Sequence, residues 1–354
     1  MRIMHRGAAI AVTLLIAAGL TISCADPPEE TRIGSGALSI HGAGATFPAA
    51  LYNGWMKMYT AEHPELSFSY DAVGSGEGIK RFIAGEVDFG ASDAAMKDDE
   101  IARVEAGVNM VPVTAGMVVL AYNIWGLERE IQLERDVYVD IFLGKITRWN
   151  DPRIAASNPD IRLPDMEITP VVRRDSSGTT YAFTNHLSEV SEAWRNGPGT
   201  GKLIDWPGRA SAVRGNDGVA GRIKLTSGSI GYVEYGFAKR LGLPMARLEN
   251  KSGRFVQPTA EAGQLALQDG SPEIPRNLRV FIPDPDGDGS YPIVSYSWLL
   301  LYNKYPNDKL ANAIKDFVWW GLSRGQDYAK EIGYIPVPRT MVARASEVVD
   351  RVHH

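Results

Sequence analysis

The sequence predicts an α/β protein of two lobes joined by two strands. Its 354 residues exceed the roughly 250–300 that one hydrophobic core usually serves. From Ala37 onward, short apolar or β-branched runs alternate with helical patterns, which is typical of a parallel sheet flanked by helices. Two uncharged runs, Met117–Ile124 and Tyr291–Tyr302, indicate buried strands far apart in the chain. A chain that leaves one lobe, builds a second and returns gives two lobes joined by two crossing strands.

The first 23 residues predict a secretory signal peptide. A positively charged start precedes Ala8–Ile22, fifteen residues without a charge and too few to span a bilayer comfortably. The next cysteine, Cys24, is the only one of the chain, and Leu20–Cys24 resembles the lipobox of bacterial lipoproteins, with Thr21 where Leu or Val is usual. We expect cleavage before Cys24 and acylation of its thiol. The alternative is a plain secreted protein whose signal sequence happens to end at a cysteine.

Composition excludes several kinds of partner and site. Loss of Arg2 and Arg6 with the signal peptide takes the formal net charge from −5 to −7, and no segment is strongly basic, which argues against nucleic acid as a partner. A single cysteine cannot close an internal disulfide or supply a Cys-rich zinc site. Residues 24–36 are rich in Pro, Glu, Gly and Ser, which predicts a flexible, lipid-anchored linker on the extracytoplasmic side of a membrane.

The rest of the chain divides into two predicted lobes. Lobe 1 comprises residues 37–123 and 290–354, and lobe 2 comprises residues 124–289. The patterns of lobe 1 predict, in order, a strand at Leu38–Ile40, a helix at Ala49–Ala61, a strand at Leu66–Val73, a helix at Gly78–Gly85 and a strand at Val87–Gly90. Lobe 2 has its own elements at Val139–Leu143, Thr169–Arg173, Thr180–Val190 and Ile230–Tyr235. A ligand is expected in the cleft between the lobes.

Three turns of glycine and hydroxyl residues share one design. Each follows a predicted strand and opens a helix, and they comprise Gly42–Pro48, Gly74–Gly78 and Ser176–Thr180. Backbone N–H groups at a helix start, together with a nearby hydroxyl, suit a small anion. A single turn of this kind is usually a structural helix cap. Three of them, on both predicted lobes, favour an anion site.

Named motifs for other chemistries are incomplete. The dinucleotide fingerprint has Phe47 where its third glycine belongs, and a P-loop ending at Gly201-Lys202 fails at Asn196 and Leu203. The acidic turn Pro283–Gly289 resembles the opening of a calcium loop but has Ser295 in place of the bidentate acid, so a solvated turn is expected. The histidines show no metal spacing, so neither a metal nor a cofactor is predicted. A hydrolase that pairs a turn serine with a distant histidine stays open.

Two charged positions lie beside these turns. Asp93 follows a predicted strand, where its carboxylate would face the cleft, although it is equally suited to cap a helix. Arg173 closes the strand before Ser177 and offers a forked pair of donors to an anion, with Asp175 close enough to orient it. The alternative for Arg173 and Asp175 is a surface ion pair. Arg174 is adjacent to Arg173.

Taken together, these segments resemble the phosphate-binding proteins of bacterial phosphate ABC importers, the PstS family. The similarity is spread in order over about 200 residues and lies in Gly42–Pro48, Val73–Arg81, Val87–Ala94, Ile141–Pro152, Val171–Thr179, Gly215–Gly218, Gly228–Tyr235 and the strand Pro292–Tyr302. The resemblance implies a periplasmic-binding-protein fold of type II that closes on one phosphate ion.

The resemblance also assigns roles to residues. It implies donors at Thr46, Phe47 and Ser75 on one lobe, donors at Ser177, Gly178 and Thr179 on the other, an ionic contact from Arg173 that Asp175 orients, and an acceptor at Asp93 for the proton of the ligand. Ser176 stands where the family commonly has Gly, which predicts a stiffer third turn.

The implied function is capture of phosphate outside the cytoplasm and delivery to a membrane permease, without catalysis. Phosphate keeps a proton near neutral pH and sulfate does not, so a buried Asp93 carboxylate pairs with the first and repels the second. Arsenate keeps a proton too and is expected to compete. The alternatives are a scaffold tuned to another oxyanion, a phosphate sensor for a membrane partner, and a phosphate-ester hydrolase.

Overall fold

The computed structural model describes residues 37–127, 129–270 and 273–354. The predicted signal peptide, Cys24 and the predicted linker at 24–36 therefore lie outside the described residues. Within those residues, the longest helix has 15 residues, and none combines the length and the hydrophobicity that a membrane crossing requires.

The first and last parts of the chain contribute strands and helices on either side of a long excursion. The opening part contains β1 (Leu38–Gly44), α1 (Ala49–Glu62), β2 (Leu66–Ala72), α2 (Ser75–Ile83), β3 (Phe89–Ser92), α3 (Asp98–Ile101) and β4 (Val108–Asn123). The excursion contains β5 (Gln132–Leu133), α4 (Arg135–Phe142), α5 (Pro152–Ala156), β6 (Thr169–Arg173), α6 (Gly178–Val190), α7 (Glu192–Asn196), β7 (Ser211–Val213), α8 (Gly215–Leu225), β8 (Ser229–Glu234), α9 (Tyr235–Arg240), β9 (Arg247–Glu249), β10 (Phe255–Val256) and α10 (Ala260–Gly270). The return contains β11 (Val294–Tyr302), α11 (Asp308–Leu322), α12 (Gly325–Glu331) and α13 (Arg339–Val349).

Eight strands form one mixed sheet in the order β2-β1-β3-β11-β4-β8-β6-β7, and a second, three-stranded sheet has the order β10-β9-β5. In the large sheet, β1 is parallel to β2 and β3, and β6 is parallel to β7 and β8. The central strands β11 and β4 are antiparallel to their neighbours. The α/β class is confirmed, but the expectation of a wholly parallel sheet is wrong at the centre, because the returning strand runs against the strands beside it.

The strand β4 connects the two flanks of the large sheet, which are the strands β2-β1-β3-β11 on one side and β8-β6-β7 on the other. Residues 108–117 of β4 pair with β11, and residues 118–123 pair with β8. Fourteen of its sixteen residues are buried, as expected for a strand covered on both faces. The predicted strands at 117–124 and 291–302 are both present. The division into lobes at residues 123 and 290 stays a prediction.

The strand β4 begins nine residues before its predicted start at Met117. Pro112 lies in this earlier stretch, and proline argues against a central strand because it donates no ladder hydrogen bond. The pairing with β11 shifts register here, since Ser297 lies opposite Thr114 and Trp298 opposite Pro112, which leaves Val113 unopposed. A bulge is one of the few places where a sheet accepts proline.

Other local predictions differ in detail. β3 begins at Phe89 rather than Val87, and α2 begins at Ser75, three residues before its predicted start. Glycines disfavour helix intrinsically, so the start of α2 is set by tertiary contacts of its first turn. The turn at 283–289 is not wholly solvated, because Asp284 is 4% exposed and forms a two-pronged ion pair with Arg135.

Candidate functional site

The three glycine–hydroxyl turns meet at one place beside the large sheet. The residues predicted for the site lie at the ends of strands or at the starts of helices. They are Thr46 and Phe47 after β1, Ser75 at the start of α2, Asp93 after β3, Arg173 at the end of β6, Ser177 at the N-cap of α6, and Gly178 and Thr179 in the first turn of α6. All eight residues are buried. The eight positions predicted from the sequence are therefore gathered into one region from which the protein largely excludes water.

The second and third turns are in direct contact through Ser75. Its Oγ accepts hydrogen bonds from the backbone N–H of Gly178 at 3.1 Å and of Asp93 at 3.2 Å. A Cβ at position 178 would lie 2.5 Å from Ser75 Oγ and 2.8 Å from the backbone nitrogen of Asp93. Only glycine therefore permits this approach of the α6 N-terminus to the turns of the opposite flank.

The hydroxyl oxygens of Ser75 and Thr46 each accept two hydrogen bonds, so each hydroxyl can still donate its proton. Ser75 Oγ accepts the two N–H groups just described. Thr46 Oγ1 accepts from the backbone N–H of Asn216 at 3.2 Å and from its Nδ2 at 3.0 Å. A hydroxyl has two acceptor lone pairs and one proton, so each group has an O–H left to donate. This polarity suits an anion or the carboxylate of Asp93.

The predicted residue Ser177 stabilises the start of α6. Its Oγ accepts the N–H of Thr180 at 3.1 Å as an N-cap, and its own N–H donates to the carbonyl of Lys202 at 2.7 Å. The helix begins next to the site, so its dipole favours negative charge there. The neighbouring Ser176 accepts the N–H of Gly76 at 2.9 Å through its carbonyl oxygen, and its Oγ occupies the space that a Cβ at position 76 would fill.

The serine at position 176 introduces no backbone strain. Among the non-glycine residues that the structure describes, only Leu278 has a positive φ, so Ser176 adopts an ordinary backbone conformation. Whether the third turn is stiffer than in relatives stays a prediction.

The side chain of Arg173 is buried, and one of its guanidinium nitrogens donates to no acceptor among the described residues. Its Nε and Nη2 donate to the two carboxylate oxygens of Asp175 at 2.8 and 2.5 Å, and the two side chains are only 1% and 7% exposed. The surface ion-pair alternative is therefore wrong. Nη1 of Arg173 is also buried, and it has no hydrogen-bond acceptor within residues 37–127, 129–270 and 273–354. The adjacent Arg174 is exposed.

The partner carboxylate is held in its charged form. Burial acts to raise the pKa of Asp175, but hydrogen bonds and charge from Arg173 and the N–H of Gly215 outweigh burial and hold this pKa below its usual value. The guanidinium is consequently fixed in direction with its charge partly compensated. A small anion that binds Nη1 would therefore meet a guanidinium whose direction is already fixed by Asp175.

Asp93 is the second carboxylate of the site, and its pKa is shifted in the opposite direction to that of Asp175. It is 1% exposed, and its Oδ1 accepts a hydrogen bond from Ser297 Oγ at 2.8 Å. Burial raises the pKa of Asp93 to about 7, although Ser297, the charge of Arg173 and Ser75 all act to lower it. Near neutral pH the protonated and ionised forms are therefore comparable. The helix-cap alternative for Asp93 is wrong, because the next helix, α3, begins at Asp98 and has Lys97 at its N-cap position.

Three residues of the site region were not predicted. Asn216, at the start of α8, bridges the turns, since its Nδ2 also donates to Thr179 Oγ1 at 3.1 Å. It lies in the quoted segment Gly215–Gly218, so its position could have been noticed. Ser297 lies in an apolar strand whose pattern does not distinguish it. Glu234 ends β8, is fully buried, and its Oε1 accepts the N–H of Gly236 at 2.8 Å.

Glu234 is a buried acid at the junction of the two flanks, because it pairs with Val118 of β4. Its Oε2 has no hydrogen-bond partner in the part of the chain that the structure describes. Burial raises the pKa of Glu234 to about 8; the N–H groups of Gly236 and Phe237 and the charge of Arg240 oppose this, and the charge of Asp93 adds to it. Near neutral pH this side chain is mostly a neutral acid.

The alternative chemistries find no support in the geometry of the described residues. Those residues contain no group of three or more His, Cys, Asp or Glu arranged to hold a metal ion. The buried His186 uses Nε2 on the Tyr138 hydroxyl at 2.8 Å and Nδ1 on the carbonyl of Pro283 at 2.6 Å. Both of its ring nitrogens are thus engaged away from the turn serines.

Comparison with known proteins identifies relatives along most of the chain. Residues 27–324 match the model of the PBP superfamily domain. The chain is 38% identical to the phosphate-binding protein PstS of Pasteurella multocida over 309 residues, which cover 87% of this chain and 89% of that protein. It is 36% identical to the PstS of Methanocaldococcus jannaschii over 334 residues, which cover 88% of this chain and 86% of that protein.

Solved structures have the same fold at lower identity. The phosphate-bound structure of PfluDING, a high affinity periplasmic phosphate-binding protein, superimposes with a TM-score of 0.70 at 20% identity, covering 86% of this chain and 92% of that one. The phosphate-binding protein from Stenotrophomonas maltophilia gives a TM-score of 0.69 at 20% identity, covering 88% and 93%. These neighbours confirm the expected periplasmic-binding-protein fold.

Proposed function

Because this chain belongs to the PstS family of phosphate-binding proteins, within the PBP superfamily, we propose that it captures inorganic phosphate in the region where its three turns meet and delivers it to an ABC importer in the membrane. It acts as a binding protein and not as an enzyme. The single observation that carries the proposal is the buried Nη1 of Arg173, which has no acceptor among the described residues. The guanidinium lies close enough to Asp93 for its charge to lower the pKa of that carboxyl.

The ligand contacts follow from the donors of the two flanks. Thr46, Phe47 and Ser75 donate from one side, and Ser177 and Thr179 donate from the other. The N–H of Gly178 donates to Ser75 Oγ in this structure, and it joins the ligand contacts by exchanging that acceptor for the anion. Arg173 supplies the one ionic contact, and Asp175 orients it. One cation with several neutral donors binds an anion without a strongly basic cleft, which agrees with the acidic net charge.

Selectivity depends on Asp93. An ionised carboxylate accepts a hydrogen bond from a protonated oxyanion and repels one without a proton. Leaving a buried acceptor unpaired costs about 1–3 kcal/mol, and more when it is charged. Sites that pair with a ligand proton reject analogues lacking it by up to about 10⁴–10⁵. Phosphate and arsenate both carry a proton near neutral pH and pass this filter, whereas sulfate does not.

The proposed cellular setting follows from the N-terminal sequence signals. Secretion by the signal peptide 1–23 and acylation at Cys24 place the protein outside the cytoplasm, and the linker 24–36 keeps it near its permease. A phosphate-loaded protein is recognised by the permease in its closed form, which the ligand stabilises through contacts that only this form has. Labelling with a radioactive fatty acid in the wild type, and its loss in Cys24→Ser, tests the anchor.

Titration calorimetry of the full chain with phosphate, arsenate, sulfate and molybdate tests the ligand. We expect saturable heat from phosphate and arsenate, and none from sulfate at about pH 8, where Asp93 is ionised. Toward about pH 5 the carboxyl of Asp93 is protonated and can donate to sulfate, so the rejection of sulfate is expected to weaken. Binding of sulfate or molybdate at the strength of phosphate would show that the scaffold is tuned to another oxyanion. Release of phosphate from a chromogenic ester by the pure protein would support the hydrolase alternative instead. Phosphate uptake in a transport-deficient strain separates an uptake receptor from a sensor.

A further inference from the structure

An ion pair beside the site connects the two predicted lobes. Nζ of Lys202 lies 2.8 Å from Oε1 of Glu100, and the two side chains are only 15% and 17% exposed. Glu100 belongs to α3 in predicted lobe 1, and Lys202 lies between α7 and β7 in predicted lobe 2. Ion pairs between fully exposed side chains contribute little to stability. This pair is largely shielded from water, which strengthens the attraction between its charges.

Lys202 is also attached to the anion turn through its backbone. Its carbonyl oxygen accepts the N–H of Ser177 at 2.7 Å, and Ser177 is the N-cap of α6. The preceding Gly201 donates its N–H to Thr184 Oγ1 at 3.1 Å, so the loop is tied to the body of α6 as well. Any displacement of Lys202 is therefore transmitted to the N-terminus of the helix that faces the anion.

Glu100 is likewise held in place by a hydrogen bond within predicted lobe 1. Its Oε2 accepts the N–H of Lys97 at 2.8 Å and so completes the cap of α3, while Oε1 is left for Lys202. The same short helix carries a second ion pair between the predicted lobes, from Asp98 to Arg279 at 2.6 Å, but the side chain of Asp98 is 90% exposed. The helix thus offers one shielded and one exposed ion pair for comparison.

We propose that Lys202 is a positioning residue for ligand capture: its ion pair with Glu100 forms when the lobes meet, latches the closed form and slows release of the anion. The proposal rests on the proposed function and adds to it a device that sets the residence time. A contact present only in the closed form shifts the equilibrium toward that form by its own free energy. Because it acts after encounter, its effect falls on dissociation rather than association.

The test uses full-length variants matched to the geometry. Lys202→Met keeps the length of the side chain without the charge, Lys202→Arg keeps the charge, and Glu100→Gln keeps an oxygen to cap α3. We expect Lys202→Met and Glu100→Gln each to raise the phosphate dissociation rate about 5- to 10-fold with an unchanged association rate. The double variant is expected to match the singles, and Lys202→Arg to remain within about twofold of the wild type.

Asp98→Asn removes the exposed pair of the same helix and is the control, expected to change the dissociation rate by less than about twofold. Unchanged rates in Lys202→Met and Glu100→Gln, or additive effects in the double variant, would overturn the latch while leaving phosphate binding intact.

A further measurement tests the latch, which is the Lys202–Glu100 ion pair, independently of whether phosphate is the ligand. Small-angle X-ray scattering without any anion compares the radius of gyration of the wild type with that of Lys202→Met. A larger radius in the variant supports the latch even when calorimetry shows no phosphate binding by the wild type, which would overturn only the proposed function. An equal radius, together with the absence of phosphate binding, overturns both proposals.

Discussion

The hydroxyl of Ser297 donates to Oδ1 of Asp93 across 2.8 Å, although 204 residues separate the two in the chain. Ser297 lies where β11 and β4 change register, opposite Thr114, and such irregularities re-aim side chains in many sheets. The hydrogen bond favours the ionised carboxylate and opposes the effect of burial on the pKa of Asp93. The returning strand therefore orients the carboxylate that we propose examines the ligand for a proton, and it keeps the pKa of Asp93 below the value that burial alone would give.

Replacing that carboxylate tests the discrimination mechanism. In Asp93→Asn the amide can donate to an oxygen that carries no proton, so the penalty against sulfate disappears. We expect sulfate binding to rise at least about tenfold, whereas phosphate binding falls less than it does in Arg173→Ala. Calorimetry with both anions measures this. Unaltered rejection of sulfate would show that Asp93 does not check for the proton.

The buried guanidinium is expected to supply the largest single contribution. Arg173→Ala removes a charged donor, and hydrogen bonds to charged groups contribute about 1.5–3 kcal/mol each, so phosphate affinity is expected to fall about 100-fold or more. Arg173→Lys keeps the charge but not the forked pair of donors, so its phosphate affinity is expected to lie between that of the wild type and that of Arg173→Ala. The exposed Arg174 is the matched control, and Arg174→Ala is expected to stay within about twofold. A larger loss in Arg174→Ala than in Arg173→Ala would contradict the assignment.

A single methyl group tests the contact between the turns. Gly178→Ala would place a Cβ 2.5 Å from Ser75 Oγ and 2.8 Å from the backbone of Asp93, so the turns must separate. We expect phosphate affinity to fall at least about tenfold. Gly221→Ala in α8 is the control, because its Cβ would meet nothing within 4 Å; it is expected to leave binding unchanged and to stabilise the helix by up to about 1 kcal/mol. Equal phosphate affinity in the two variants would count against the contact.

The two buried acids predict a pH dependence of stability. Burial raises the pKa of Glu234 from 4.5 to about 8, so the folded state binds more protons than the unfolded state between these values. Stability due to this group is therefore full below about pH 4.5 and is lost as the pH rises toward about 8. Asp93 acts in the same direction, from 3.8 to about 7.

The variant Glu234→Gln isolates this effect from that of other titrating groups. The free energy of unfolding of the wild type, measured with urea, is expected to decline relative to that of Glu234→Gln between about pH 5 and about pH 8. The buried His186, whose pKa burial lowers to about 4, is present in both proteins and cancels in the difference. A constant difference across this range would mean that Glu234 is not a neutral acid in the folded protein.

Local sequence patterns were sufficient for much of the architecture. The helix at Ala49–Ala61 agrees with α1 within one residue, and the strand at Thr169–Arg173 agrees with β6. The turns could be predicted as donors because the exposed N–H groups of a helix start arise from the chain's own local geometry. The order of the matching segments also identified the family. Parallel pairing at the sheet centre was wrongly predicted, since strand direction depends on how the chain returns.

Contacts between distant segments could be known only from the folded chain. Asn216 reaches Thr46 across 170 residues, and Lys202 reaches Glu100 across 102, through neighbours that no local pattern specifies. The same limit applies to charge. A carboxylate at position 93 or 234 acquires its raised pKa only after β strands and helices from the whole chain have packed around it and removed water, because desolvation is a property of the assembled interior and not of the residue.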